Sequence, residues 1–268
     1  METDVILPKV ITLAEQVATA ILPIYQSQAE SLLSLKSDGS PLTRADMLAN
    51  DIIIEALTQL TPDIPVLSEE SCDIPFAERQ TWERYWLVDP IDGTKEFLAK
   101  NGDFTVNIAL IEFHQPILGV VGVPVTETVY YASVAGGAWK KTPQTSVALK
   151  TRHFNPQKPV LLVASRRHGQ SAIEKISTHY PQCELIRRGS SLKFCLLAEG
   201  DIDIYPRLGL TSEWDTAAGQ CILEAAGGTV IDLHGIPLRY NMRDSYQNPY
   251  FLAVADKAIG WQKFFEAQ

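Results

Sequence analysis

The chain has 268 residues, 46% of them hydrophobic and 21% charged; this is the profile of an ordinary globular protein and excludes disordered, coiled-coil and collagen-like architectures. A formal charge of -9 argues against binding a nucleic-acid polymer, because phosphate backbones are held by a broad basic face that displaces counterions. A small anion remains acceptable, since a metal cluster can reverse the sign of one pocket.

One large domain or two half-sized lobes of this length would bury about three quarters of the unfolded surface, leaving room for a ligand cleft. Val10, Leu13, Ala14, Val17, Ala18 and Ile21 recur three or four apart and predict one apolar face of a long first helix. After a Ser-Asp-Gly-Ser-Pro turn at 37–41, a second helix is expected over 43–60, with Leu48, Ile52, Leu57 and Leu60 as its buried stripe. The period then shortens, and 85–88, 104–111, 117–123 and 129–132 read as strands punctuated by Pro and Gly. The first half is therefore expected to pack helices on a mainly antiparallel sheet.

A polar, Pro-containing stretch at 142–159 lacks periodicity and marks the expected boundary between an α+β lobe at 1–150 and an α/β lobe at 151–268. In the second lobe, strands are expected at 160–164, 202–205, 229–232 and 250–254, with helices at 171–180, 191–198 and 215–226. That alternation suggests helices covering a sheet. Gly227-Gly228 reads as a helix end, where glycine is common.

Cys72, Cys183, Cys195 and Cys221 form neither a CxxC pair nor a zinc pattern, so reduced, buried thiols are expected. No basic segment followed by an apolar stretch opens the chain, and no apolar run is expected to approach the ~20 residues needed to cross a bilayer. The expectation is a cytoplasmic protein without a transmembrane segment, with peripheral attachment to the inner face of the cell membrane left open.

Three segments carry chemistry. In Trp86-Leu-Val-Asp89-Pro90-Ile91-Asp92-Gly93-Thr94 an apolar strand runs into two aspartates. Pro90 biases Asp89 toward an extended backbone, and Gly93 permits a sharp turn whose N–H groups can face an anion. Pro65-Val-Leu-Ser-Glu69-Glu70-Ser71 is a second apolar run ending in acids, and Trp214-Asp215 opens a helix rich in small residues. If the three ends converge, several carboxylates share one cleft. Two unit charges about 5 Å apart repel by roughly 3 kcal/mol at an effective dielectric of 20, so such a cluster calls for cations. All-oxygen ligands select Mg2+, Mn2+ or Ca2+ over zinc or copper. Taken singly, each segment also has a plain reading: a surface turn for DPxDG, and solvated adjacent acids for Glu69-Glu70.

In order and spacing, Ser68-Glu69-Glu70-Ser71, Asp89-Pro-Ile-Asp-Gly-Thr94 and Trp214-Asp215-Thr-Ala-Ala-Gly219 resemble the signatures of the inositol monophosphatase superfamily of lithium-sensitive, Mg2+-dependent phosphatases. Lys95-Glu96-Phe97, Gly189-Ser-Ser-Leu-Lys193, Ala198-Glu-Gly200, Tyr205-Pro-Arg207 and Thr211-Ser-Glu-Trp-Asp215 look like its 3'(2'),5'-bisphosphate nucleotidase branch.

The resemblance implies a layered α/β/α/β/α sandwich. It implies that Glu69, Asp89 and the Ile91 carbonyl hold one Mg2+ and that Asp89, Asp92 and Asp215 hold a second; Mn2+ could substitute, and Li+ and Ca2+ are expected inhibitors. Thr94 would orient the attacking water, with Asp46 as its hydrogen-bonded base and Glu69 as a further catalytic residue. Asp46 also has a structural reading, as a helix-start residue paired with Thr43. Glu69, Ile91, Asp92, Gly93, Thr94 and Asp215 would line the substrate, and His168, Ser190, Lys193 and Arg207 would select it.

The resemblance implies adenosine 3',5'-bisphosphate as the substrate, with its 5'-phosphosulfate counterpart as a second one, in a monomer or homodimer. The rivals are an inositol or sugar monophosphate phosphatase and a non-catalytic nucleotide-binding regulator.

Overall fold

The computed structural model describes residues 2–27, 32–35, 41–166 and 170–265. The chain opens with helix α1 (Glu2–Gln26) and a short hairpin, β1 (Leu32–Leu35) and β2 (Pro41–Thr43), followed by α2 (Arg44–Leu60). The turn expected at 37–41 lies largely outside the described residues. Val10, Leu13, Ala14, Val17 and Ile21 are buried as the spacing predicts. One expectation needs correction: 22 residues of α1, Val5–Gln26, are long and apolar enough to cross a membrane. Here the apolar face of that helix packs into a core shared with Ala49, Ile53 and Leu57 of α2 and with the sheet beneath.

The stripe predicted on α2 is also rotated. Leu48 is 37% exposed and Ile52 half-buried, while Ala45, Ala49, Ile53 and Leu57 face inward. The phase is set by a capping box at the start of the helix between Thr43 and Asp46. Asp46 and Asn50 occupy the buried face, where Asn50 accepts from Ser68 Oγ at 2.7 Å. Two polar residues at inward positions hide the stripe from a hydrophobic count.

The next elements are β3 (Val66–Ser68), α3 (Phe76–Arg79), β4 (Arg84–Asp92), α4 (Thr94–Leu98), β5 (Thr105–Glu112), β6 (Gln115–Val123), β7 (Thr128–Ser133), β8 (Gly137–Lys141) and β9 (Ser146–Ala148). Strands β3 to β9 form a seven-stranded sheet in chain order, antiparallel except for the β3–β4 pair. The period of two sends Trp86, Val88, Val106, Ile108 and Leu110 to the face under α1 and α2. It sends Tyr85, Leu87, Ala109, Ile111 and Val121 to the opposite face.

The second half supplies β10 (Val160–Ala164), α5 (Gln170–Ser177), β11 (Cys183–Arg187), α6 (Leu192–Ala198), β12 (Ile204–Arg207), α7 (Ala217–Ala225), β13 (Thr229–Asp232) and β14 (Phe251–Val254). They form a five-stranded sheet ordered β11-β10-β12-β14-β13, in which β11, β10 and β12 run parallel. Helices α6 and α7 fill the space between the sheets: Phe194, Leu197, Ala218 and Leu223 share a core with Tyr85 of the first sheet and Phe251 of the second. Leu162, Ile204, Leu252 and Val254 face the other way, onto Ala172 and Ile176 of α5 and onto Trp261. The result is a layered α/β/α/β/α arrangement, as expected. A Cβ on Gly119 would stand 2.5 Å from the Ala218 carbonyl, so β6 admits α7 this closely only as glycine.

Strands β1, β2, β8, β9 and β11 were not anticipated, and β9 falls inside the stretch read as aperiodic. β9 is exposed throughout, and no residue of β11 is fully buried, so neither presents the inside-outside alternation that flags a strand. The helix end at Gly227 holds: its φ is +113° and its N–H bonds to the Glu224 carbonyl. All four cysteines are free, Cys195 and Cys221 buried and Cys72 and Cys183 half-buried, so full burial holds for two of them.

Candidate active site

The sequence reading ends a strand at residue 88, but β4 continues through Asp92. Its pairing with β5 changes register: Asp89 lies opposite Asn107 and Asp92 opposite Thr105. Three steps on one strand thus match two on the other, which is a β-bulge. Residues three apart on a regular strand point to opposite faces; the extra residue turns both aspartates to the same side. A carboxylate oxygen from each of Asp89, Asp92 and Asp215 lies within 4.8 Å of the others. Asp215 arrives on a short 3-10 turn, Glu213–Asp215, directly before α7, where its side chain accepts the Ser212 N–H at 2.9 Å.

Burial raises the pKa of Asp92, against the opposing pull of Lys193. Asp215 is pushed well above the usual carboxylate range, first by burial and then by Asp92 and Glu69. Glu69, on the 3-10 turn after β3, lines the same cavity of 440 Å3, as do Ile91, Gly93 and Thr94. Its carboxylate is not one of the three within 4.8 Å. The Ile91 side chain is buried in the core, so that residue offers the site its carbonyl, which accepts from Thr94 Oγ1 at 3.4 Å.

Gly93 carries φ +91° at the start of α4, a conformation that favours glycine. Thr94 follows at once. Its hydroxyl donates to Asp46 Oδ1 at 3.3 Å, while Asp46 Oδ2 accepts from Thr43 N at 2.7 Å and from Thr43 Oγ1. The same carboxylate therefore caps α2 and touches Thr94.

A second cavity of 190 Å3 adjoins the first and shares Asp92, Gly93 and Asp215 with it. Ser190, Lys193 and Arg207 line it, with Arg166 and Tyr205. Lys193 is 4% exposed, donates to the Ser190 carbonyl and lies 5.1 Å above the Tyr205 ring. Burial lowers its pKa to about 8, with Asp92 opposing the shift. Arg207 donates to the Leu210 carbonyl at 2.6 Å, and its buried Nε has no hydrogen-bond partner among the described residues. His168, expected beside them, lies outside the described residues.

Sequence reasoning missed the polar groups that brace these side chains. Asn107 donates to Asp92 at 3.4 Å and accepts from Ser191 at 2.6 Å, and Ser191 pairs with Thr105 at 2.8 Å. Asn107 and Thr105 sit on a strand otherwise rich in Val, Ile and Leu, and their burial among those residues is the only sequence signal. Arg166 lies two residues before His168 in the sequence. Its partner Asp103 is 63 residues away, a separation at which spacing is uninformative.

The model described as the inositol monophosphatase family matches residues 5–258. The chain is 48% identical over 246 residues to the 3'(2'),5'-bisphosphate nucleotidase CysQ of Salmonella typhimurium, covering 91% of this chain and 98% of that one. It is 37% identical over 262 residues to the CysQ of Haemophilus influenzae, covering 97% of each. The crystal structure of CysQ from Bacteroides thetaiotaomicron, described as a bacterial member of the inositol monophosphatase family, matches with a TM-score of 0.80 and 37% identity over 91% of this chain and 95% of that one. With the family model spanning nearly all of the chain and relatives this similar along their whole length, the chain belongs to the inositol monophosphatase family.

Proposed function

We propose that the chain is a 3'(2'),5'-bisphosphate nucleotidase that hydrolyses the 3'-phosphate of adenosine 3',5'-bisphosphate, giving AMP and phosphate, and that it also accepts the 5'-phosphosulfate counterpart. The observation that carries the reading is the junction of two unlike cavities: a carboxylate cluster and, sharing its wall, a pocket bearing Arg166, Lys193 and Arg207. A substrate with two separated phosphates matches that pairing. The names of the relatives at 37% to 48% identity point the same way.

The donor set fits Mg2+. Its side-chain groups are all carboxylates, hard oxygens of the kind Mg2+ prefers, and burial has raised Asp92 and Asp215 in a way a nearby cation would reverse. Glu69, Asp89, Asp92, Asp215 and the Ile91 carbonyl would hold the metal, which when bound supplies Lewis-acid stabilisation of phosphoryl oxygens and a more acidic water.

The remaining work belongs to the chain itself. Asp46 holds the Thr94 hydroxyl, so that Thr94 orients a water and Asp46 takes up its proton through that contact. The turn at Gly93 presents backbone N–H groups to the scissile phosphate. Ser190, Lys193 and Arg207 bind the distal phosphate, and charge-assisted bonds of that kind are the strong ones. A lobe boundary near residue 150 and a cytoplasmic setting complete the proposal.

Phosphate release with Mg2+ tests it, comparing adenosine 3',5'-bisphosphate, inositol 1-phosphate and fructose 1,6-bisphosphate. A kcat/KM at least tenfold higher for the nucleotide, about 1.4 kcal/mol in the transition state, is expected. Preference for a sugar phosphate would keep the acid cluster and overturn the assignments of Ser190, Lys193 and Arg207. Nucleotide binding without phosphate release would make the protein a regulator.

A further inference from the structure

Four cations line the smaller cavity, Lys95, Arg166, Lys193 and Arg207; Lys95 also lines the larger cavity, Lys193 also donates to the Ser190 carbonyl, and Arg207 also donates to the Leu210 carbonyl. Arg166 is different. Its side chain is 42% exposed, and one edge of its guanidinium is gripped by a single oxygen, Asp103 Oδ2, at 3.2 Å from Nε and 2.6 Å from Nη2.

That oxygen has a third partner, the Gly189 N–H at 3.1 Å. Asp103 is 9% exposed and sits between α4 and β5, on the first sheet's side of the site, whereas Arg166 and Gly189 follow β10 and β11 of the second. A Cβ on Gly189 would stand 2.6 Å from the Asp103 carbonyl, so the two backbones are in close contact. The next residue, Ser190, adopts φ +47° and lines the cavity. One carboxylate thus fixes two walls of the pocket at once: the Arg166 side chain and the turn that presents Ser190.

We propose that Arg166 is a specificity-determining residue that binds the second phosphate of the substrate, and that Asp103 is the positioning residue that holds Arg166 and the Gly189-Ser190 turn in register. The proposal rests on the nucleotidase reading above and names how that reading selects its substrate. A guanidinium carries five donors in a planar fork; Asp103 uses the Nε–Nη2 edge, and the Nη1 side lies outside that bond. Tethering one edge of a long, half-exposed side chain reduces the freedom it loses when an anion arrives.

The test compares adenosine 3',5'-bisphosphate with 3'-AMP, which keeps the scissile phosphate and lacks the second one, in wild type, Arg166→Gln, Arg166→Lys, Asp103→Asn and the Asp103→Asn/Arg166→Gln double variant. The readout is the ratio of the two kcat/KM values. Wild type should favour the bisphosphate at least about tenfold. Arg166→Gln should lower that ratio severalfold, with Lys193 and Arg207 still meeting the second phosphate, and Arg166→Lys, which keeps the charge without the fork, should fall between. Asp103→Asn should raise KM for the bisphosphate severalfold while kcat at saturation stays within about twofold, and the double variant should lose less than the sum of the two single losses, because Asp103 acts in part through Arg166.

Equal losses on both substrates, or fully additive losses in the double variant, would overturn the proposal and leave Arg166–Asp103 as a brace between the two sheets. A preference undiminished in Arg166→Gln would overturn it while sparing the nucleotidase reading. A wild type indifferent to the second phosphate would sink both.

Discussion

Asp46 makes two separable contacts, and replacing it by asparagine should pull stability and turnover apart. Oδ2 accepts from Thr43 N at 2.7 Å and from Thr43 Oγ1; Oδ1 accepts the Thr94 hydroxyl at 3.3 Å. An asparagine at this position has one acceptor oxygen and one donor NH2. Two donors on Thr43 claim the oxygen, so the NH2 is left facing Thr94 and can no longer take a proton through it. The helix cap therefore survives in Asp46→Asn, and the stability lost should stay below about 1 kcal/mol, given that a whole cap contributes ~0.5–2. Turnover should fall by about 10²–10⁴, the usual contribution of a positioned acid-base group, equivalent to roughly 2.7–5.5 kcal/mol in the barrier.

Thr43→Ala is the converse. It removes the cap, so Tm should drop by about 1–8 °C for a chain of this size, while Asp46 Oδ1 still meets Thr94 and kcat changes by less than about tenfold. Paired thermal melts and single-turnover phosphate release on the two variants decide the matter. An Asp46→Asn enzyme with near wild-type turnover would refute the catalytic reading and leave Asp46 as a capping residue. A Thr43→Ala enzyme as inactive as Asp46→Asn would show that the two contacts cannot be separated.

Three further outcomes are expected. Mg2+ at about 100 times its dissociation constant should stabilise the protein by ~2.7 kcal/mol, with EDTA reversing the shift in Tm, and Asp89→Asn should abolish both this shift and phosphate release; an Asp89→Asn protein with normal turnover at the same Mg2+ would remove the proposed site. Gly119→Ala forces a methyl to within 2.5 Å of the Ala218 carbonyl and 2.8 Å of Cys221 Cβ, and should cost about 1–3 kcal/mol by overpacking, read as a lower denaturant midpoint. In the native protein a thiol reagent should react within minutes with at most Cys72 and Cys183, because Cys195 and Cys221 are buried and burial pushes both thiols up; denaturation should expose all four.

The sequence reveals which residues carry chemistry better than how they meet. The segments around Glu69, Asp89 to Thr94 and Asp215 stand out because acids end apolar runs, and the fold brings them to one cavity. What spacing cannot supply is the bulge between Asp89 and Asp92: on a regular strand that pair would point to opposite faces, and the register shift shows only in the pairing with β5. On α2 a hydrophobic count selects Leu48 and Ile52, while the buried face holds Asp46 and Asn50, polar because they reach Thr94 and Ser68. Local pattern fails there because the site draws polar side chains into the core. Asp103 and Arg166 are invisible for a different reason: their contact joins two sheets, and no local rule links residues so far apart.

The two halves of the site differ in how tightly the fold constrains them. Asp89 and Asp92 are fixed by a bulge inside a seven-stranded sheet, and Asp215 by the turn that feeds α7 into the layer between the sheets. Arg166 instead lies two residues beyond β10, and Arg207 is the last residue of β12. Those strands run parallel, so both arginines stand at carboxyl ends, where open α/β sheets place their ligands. Substitution at a strand end costs less packing than substitution inside a bulged central strand, since loop residues rest on few buried contacts. Acids held by the sheet core can therefore keep one hydrolytic chemistry while the residues beyond β10, β11 and β12 change which anion is presented to it, and the Arg166 variants should move substrate preference with smaller losses of stability than any change at Asp89.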